Sequence, residues 1–451
     1  MNEILLLGGI AFAIALLMFL VLKLKIHAFI ALLVVSILVG LMAGMDFGAI
    51  TGSMKTGMGD TLGFVATVVG LGAIFGQMLE SSGGAESIAR FLIGRFGEKR
   101  ASWAMMLTGL IVSIPVFLDV GLIILIPLVY QLTRQVKRSM LFYGIPLLAG
   151  LAVGHSFIPP TPGPVAVAEI LDVQLGWVIL AGLAAGIPAA IIAGPLFGRY
   201  ISRKIRIDPP DYFSQAGSSD VQKPLPSFRI IILIILLPLV LIVAGSFTEI
   251  LRKEGIITNQ TVCQTIGLLG HPFTALIIST LLALYVLGVK RGLGKDQLMQ
   301  LSNKALAPAG LIILVTGAGG VLKQILIDSG VGAMLAESMA ESAIPPIVLA
   351  YLIAAVVRII QGSATVSMIT AAGMMAPLIT VFDLRQIDKA LIVIAIAAGA
   401  TILSHVNDSG FWLVGKYMGM NEKETLRSWT IMETIISVTG FLLVLLFSAL
   451  I

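Results

Sequence analysis

Charge is what this chain has least of for its length. Only 12% of its 451 residues are Asp, Glu, Lys or Arg, and the net charge is +5. So small an excess on so apolar a chain reflects orientation across a membrane rather than binding to nucleic acid. Cysteine is nearly absent: the single Cys263 excludes an internal disulfide framework and any Cys/His metal set. With four histidines and no H-E-x-x-H pattern, no metal or other cofactor is expected. Gly57-Met58-Gly59-Asp60 has the Gly-x-Gly-Asp form of intramembrane aspartyl proteases, but no second Asp partners it, and no enzyme activity is expected. No basic residue precedes Ile4–Leu22, so this stretch is expected to be a retained first helix rather than a cleaved leader.

What is present is apolar surface. Hydrophobic residues make up 58% of the chain, with a mean hydropathy of +1.03. A soluble fold cannot cover that much, and the expectation is an all-α polytopic membrane protein. Apolar segments run at 4–22, 28–45, 61–80, 103–132, 141–171 and 176–198, and again at 229–247, 273–290, 308–327, 346–380, 391–415 and 428–451. The polar stretch between them gives three units: a first transmembrane repeat 1–198, a cytoplasmic linker 199–228 and a second repeat 229–451.

Residue identities support duplication. His27 matches His271 at an offset of 244, and Gly63, Gly70, Gly72 and Gln77 match Gly310, Gly317, Gly319 and Gln324 at 247. His155 matches His405 at 250, and Trp177 matches Trp429 at 252. Segments 103–132 and 346–380 exceed one straight span of about 20 residues. Each has a polar kink midway, at Ser113-Ile114-Pro115 and at Gln361–Thr365, and each reads as a re-entrant hairpin. Every repeat then has about five transmembrane helices, one of them broken, plus its hairpin; the odd number of crossings inverts the second copy. With the N-terminus outside, 22 Lys/Arg fall on the cytoplasmic side and five outside (Lys55, Arg252, Lys253, Arg385, Lys389), as positive-inside orientation requires. Lys323 and Arg358 lie within apolar segments.

The chemistry is expected at the hairpin tips and in the broken helices. Ser404-His405-Val406-Asn407-Asp408-Ser409-Gly410 interrupts an apolar run, and Gly154–Pro164 is a break rich in proline. A backbone opened at membrane depth survives only where protein or water surrounds it. Helices resuming there direct free N–H groups and a positive dipole end into the break, a natural seat for a small anion. The expected substrate-binding residues are His155, Ser156 and Thr161, the tip residues Gly362, Ser363 and Thr365, and Asn407 and Ser409. Proton coupling is expected at His405, Asp408 and Asp119, with His405 and Asp408, three residues apart, pairing if the break folds back. Asp408 also reads as a helix cap, and Arg358 as a partner of the substrate carboxylate, as the partner of Asp408 or Asp119, or as a snorkelling side chain. His27 and His271, beside helix starts, read as structural. The glycines of Gly59-x-x-x-Gly63 and Gly72-x-x-x-Gly76 read as helix-packing positions.

Four stretches carry a resemblance: "GDTLGFVATVVGLGAIFGQMLESSGGAE", "GHSFIPPTPGPVAVA", "GSATVSMITAAGMMAPL" and "SHVNDSGFWLVGKYMGMNEKETLRSWTIMETI". With them the chain resembles the gluconate permease family (gluconate:proton symporters) of the ion-transporter superfamily over nearly its whole length. The resemblance implies uptake of a sugar acid, gluconate first, with a proton across the bacterial inner membrane. It also implies a possible homodimer surrounded by membrane lipid and moving in an elevator-like way. Other members carry D-serine, idonate or glycerate, which leaves a D-serine or small hydroxy-acid carrier as an alternative. An ion channel using the same breaks as a filter is the alternative from another class. Thr161 stands where gluconate members often have a second His, and Asp119 where a Glu is common.

Overall fold

The computed structural model describes residues 16–17, 19–20, 23–210, 224–330, 344–382 and 384–450. Most of the first expected helix, 4–22, and the middle of the expected linker lie outside them. Among the described residues the regular structure is helical, with no strand. The first repeat contributes α1 (Ala28–Met42), α2 (Phe47–Ser81), α3 (Gly84–Phe96), α4 (Ala101–Ser113), α5 (Leu118–Val136), α6 (Leu141–Phe157) and α7 (Pro162–Ile170). It closes with α8 (Leu175–Lys204), which passes through a π turn at Ile192–Leu196. The second contributes α9 (Phe228–Lys253), α10 (Gln260–Gly270), α11 (Pro272–Arg291), α12 (Lys295–Asp328), α13 (Pro346–Gln361), α14 (Ala364–Val381), α15 (Gln386–Gly399), α16 (Ser409–Met418) and α17 (Glu422–Leu450). Counting α6 and α7 together across their break, eight spans among the described residues are long and apolar enough to cross a membrane.

The two repeats use the same local devices. His27 and His271 are N-caps of α1 and α11: Nδ1 accepts the Phe29 N–H at 3.2 Å in one and the Phe273 N–H at 3.3 Å in the other. Each fills one of the donors a helix start leaves open. The hairpins fall where the polar kinks are, α4–α5 turning at Ile114–Phe117 and α13–α14 at Gly362-Ser363. Helices α2 and α12, of 35 and 34 residues, pack along one another. At 1.5 Å per residue each is roughly 50 Å long, well beyond a 30 Å hydrocarbon core, so both must tilt or project from the membrane. The broken helices are the most enclosed elements: α6 is wrapped by α4, α5 and α8, and α15 by α13, α17 and α8. Neighbouring protein, rather than lipid, therefore surrounds the opened backbone.

Three expectations need correction. The first break is shorter than Gly154–Pro164, because α6 runs through Phe157, so His155 and Ser156 end a helix. The second lies earlier than expected: α15 stops at Gly399 and α16 starts at Ser409, leaving Ala400–Asp408 open. Of the packing glycines, Gly59 and Gly63 face open space. It is Gly57 that meets the Gly320 carbonyl of α12, and Gly76 whose Cβ would collide with the Pro115 carbonyl oxygen at the first tip. The spacing had selected the wrong side of α2 at its first half and the right one at its second.

Candidate functional site at the hairpin tips and helix breaks

Helix α13 ends with carbonyls that have no intrahelical partner. The second break supplies the donors. His405 Nε2 donates to the Ile359 carbonyl at 2.9 Å, and Asn407 Nδ2 to Ile359 and Ile360 carbonyls at 2.9 and 3.1 Å. Gly362, at φ +89°, turns the chain in the left-handed region and lies flat against Asn407. Ser363 then caps α14, its Oγ accepting the Val366 N–H at 3.4 Å. Tip and break thus form one unit.

Asp408 is the centre of that unit. It caps α16, Oδ1 accepting the Gly410 N–H at 2.9 Å, while Oδ2 accepts from Arg358 Nη2 at 2.6 Å and Ser404 Oγ at 2.5 Å. Ser404 Oγ in turn accepts from Trp429 Nε1 at 2.7 Å, and its carbonyl accepts from Thr430 Oγ1, fastening α17 to the break. Arg358 is only 3% exposed, and its Nε and Nη1 are buried without a hydrogen-bond partner, as is Gln361 Oε1. Such orphaned donors on a buried cation are costly and mark a place built for an acceptor. The expected His405–Asp408 pairing is not made. The break turns His405 toward α13, and the carboxylate is filled by Arg358, Ser404 and Gly410.

The first tip and break have a different chemistry. The His155 ring stands edge-on to Phe117, with centroids 6.1 Å apart, and its buried Nδ1 has no partner. Asp119, in the first turn of α5, is exposed, and its charge reaches His155. Ser156 is buried. Thr161 is the N-cap residue of α7, but its Oγ1 donates back to the Ile158 carbonyl at 2.6 Å, so its proton is committed within the break. The Pro159-Pro160 peptide bond is cis. Each resumed helix crosses to the opposite hairpin: Gly163 of α7 meets Met368 of α14, and Tyr130 of α5 donates its hydroxyl to the Tyr417 carbonyl of α16 at 2.5 Å. Thr365 and Ser409 open α14 and α16, and the structure shows no side-chain hydrogen bond for either.

Where α2, the first tip and the first break meet, the cavity is about 10 Å³, lined by Gly72, Pro115, Phe117, Pro160 and Thr161 among others. That is the lower limit for a single water. A cavity of about 670 Å³ lies elsewhere, lined by Lys99, Arg138, Arg199, Arg203, Lys204 and Arg206 among others. Those charges are among the residues expected on the cytoplasmic side, and none of them lies in a hairpin tip or a break.

Sequence reasoning missed Glu433, 3% exposed on α17, whose charge reaches both Arg358 and Asp408. At the offset of 252 that relates Trp177 to Trp429, its counterpart is Ala181, so repeat matching passes over it. It also missed that Lys323 of α12 and Glu169 of α7 lie within each other's field. His27→Ala and His271→Ala each remove one cap bond worth about 1 kcal/mol. Both variants are expected to keep at least half the wild-type initial uptake rate in proteoliposomes; a tenfold loss would show that the caps belong to the transport path.

The profile of the family described as GntP family permease matches residues 5–450. A low-affinity gluconate transporter of Escherichia coli (strain K12) is 42% identical over 428 residues, covering 95% of each chain. A gluconate permease of Bacillus subtilis (strain 168) is 40% identical over 447 residues, covering 97% of this chain and 98% of that one. The crystal structure of the Alcanivorax borkumensis YdaH transporter, described as having an unusual topology, superposes with a TM-score of 0.63 over 90% of each chain at 16% identity, a likeness of fold. The inverted-repeat helical architecture, the two tip-and-break units and relatives matched end to end agree: this chain, a multi-pass membrane protein, belongs to the GntP permease family.

Proposed function

We propose that the chain is a secondary carrier importing a sugar acid, gluconate first, together with a proton across the bacterial inner membrane. The observation that carries this is Arg358: a buried guanidinium with two unfilled donor nitrogens, held between a hairpin tip and a helix break. An anionic oxygen, such as that of a carboxylate, is the acceptor such charged donors take. The relatives named gluconate transporter and gluconate permease choose among the carboxylates. The hydroxyls of Ser363, Thr365 and Ser409 and the amide of Asn407 would meet the polyol, with His155, Ser156, Thr161 and the Gly362 turn on the facing surfaces. From sequence the proton groups are expected among His405, Asp408 and Asp119. Since His405 and Asp408 are bonded apart, any proton exchange between them needs the break to open.

The small cavity at the first tip requires movement before a six-carbon acid can pass. We read this as hairpins and broken helices moving together against the frame of α1 and α9–α11, in a protein that functions as a homodimer. Uptake of labelled gluconate into proteoliposomes, with the pH lower outside, tests the main reading. Accumulation above the external concentration that collapses with a protonophore is expected, and the absence of uptake for every sugar acid tried would refute it. Competition by unlabelled D-serine, idonate and glycerate on the same vesicles ranks the substrates.

A further inference from the structure

Three ionisable groups are buried together at the second break. Arg358 and Glu433 are each 3% exposed, and the Asp408 side chain 12%. One guanidinium faces two carboxyl groups. The placement of Glu433 follows from hydrogen bonds: Trp429 and Thr430 are both fastened to Ser404, which is itself bonded to Asp408. Glu433 lies one turn further along α17, on the same side. Yet it makes no ion pair of 4 Å or less with Arg358, which has two donor nitrogens unfilled.

Helix α13 packs on α17 through the Tyr351 hydroxyl, 3.1 Å from Ser437 Oγ, and the stacked Tyr351–Phe441 pair, and brings Tyr351 as well as Arg358. Helix α17 itself carries Glu422, Lys423, Glu424 and Arg427 in its first turns. Of the helices packed on it, α15 carries Asp388 and Lys389 in its first turn, and α8 has Arg199, Arg203 and Lys204 in its last turns. Helix α6 brings only His155, at its C-terminal end. Among the described residues, Arg358 and Asp408 are the charged groups that reach Glu433. The N-termini of α14 and α16 add roughly half a positive charge each. They offset the excess carboxylate of the empty site.

We infer that Glu433 is the proton-binding group of this carrier, neutralised when a substrate carboxylate takes the open N–H groups of Arg358. The charge count is the reason. With Glu433 ionised, the empty site holds one cation and two carboxylates. Loaded with an anion and one proton on Glu433, it again holds one cation and two carboxylates, one of them the substrate's. Without the proton the anion would add an uncompensated buried charge, which hydrocarbon does not tolerate. Proton and anion therefore promote each other's binding, as linkage requires. The inference rests on the sugar-acid carrier reading above and names the group that couples it.

Glu433→Gln fixes this position in its neutral form. In weak buffer at a pH where Glu433 is ionised in the empty protein, purified protein should take up one proton per gluconate bound, and E433Q close to none. Wild-type affinity should weaken by about tenfold per pH unit once Glu433 is ionised in the empty protein, whereas that of E433Q should stay level. In proteoliposomes, the ratio of gradient-driven accumulation to gluconate counterflow should fall tenfold or more in E433Q. A wild-type proton count or accumulation ratio in E433Q overturns the assignment. Absence of counterflow in the wild type refutes the carrier reading instead. Glu433→Asp provides the check independent of E433Q folding: it should keep the one-to-one count with a displaced pH midpoint, and an unmoved midpoint is a second way to overturn the proposal.

Discussion

Arg358→Ala is expected to reduce gluconate uptake by at least about a hundredfold. The side chain holds Asp408 at 2.6 Å in a site where both are nearly sealed from water. Removing one partner of a buried pair costs about 3–5 kcal/mol, because the remaining charge is left without compensation. Asp408 also caps α16 and bonds Ser404, so its release loosens the break and the attachment of α17 together. Arg358→Lys keeps the charge but loses the planar fork, and uptake should still fall by roughly tenfold or more. The double variant Arg358→Ala/Asp408→Asn separates folding from binding. It removes both charges, so yield and monodispersity should recover relative to the single variant while uptake stays lost. Wild-type uptake by Arg358→Ala would mean that the ion pair is only scaffolding.

Gly362→Ala should be the most damaging single-methyl change in the second hairpin. The residue sits at φ +89°, where an L side chain is strained by about 1–3 kcal/mol. Its Cβ would also strike the Asn407 carbonyl, which belongs to the break. Tip and break cannot both keep their places, and Asn407 would release the α13 carbonyls it satisfies. Initial uptake should fall about tenfold or more, with the melting temperature lowered by several degrees. Gly63→Ala serves as the contrast, since nothing lies within 4 Å of the added carbon. Ala in a helix interior is favoured over Gly by roughly 0.5–1 kcal/mol, so this variant should melt no lower than the wild type. Equal losses in both would remove the tip from the argument.

The hairpins and breaks were legible in the sequence because an apolar background makes any Pro, Gly or hydroxyl run conspicuous. Ser113-Ile114-Pro115 and Gly362-Ser363 both fell at real turns. Where backbone continuity was at issue, composition misled: His155 and Ser156 look like part of a proline-rich interruption, yet proline constrains the residues before it only locally, and α6 persists to Phe157. Arg358 was visible as a charge in an apolar run, but its choice of Asp408 over Asp119 depended on how the second break folds, 50 residues away. Spacing brought His405 and Asp408 together on paper; α13's open carbonyls took His405 elsewhere. Glu433 carried the same signal as Arg358, an ionisable residue inside an apolar segment (428–451), and was passed over because it has no repeat partner. It stands near the cytoplasmic loop in sequence, among Glu422 and Glu424, which look alike on paper and are capping-turn or surface residues in the fold.

Gly72 and Gly319 occupy equivalent places in the two copies, yet their surroundings are unequal. A methyl on Gly72 would stand 3.6 Å from the Pro160 carbonyl, an ordinary contact, whereas one on Gly319 would come within 2.5 Å of Ile369. In an inverted-repeat carrier, facing one side of the membrane or the other amounts to the copies exchanging conformations. Perfectly matched halves would leave the empty protein evenly divided between the two orientations. A mismatch of this kind gives packing a means to favour one resting side before gradient or cargo acts.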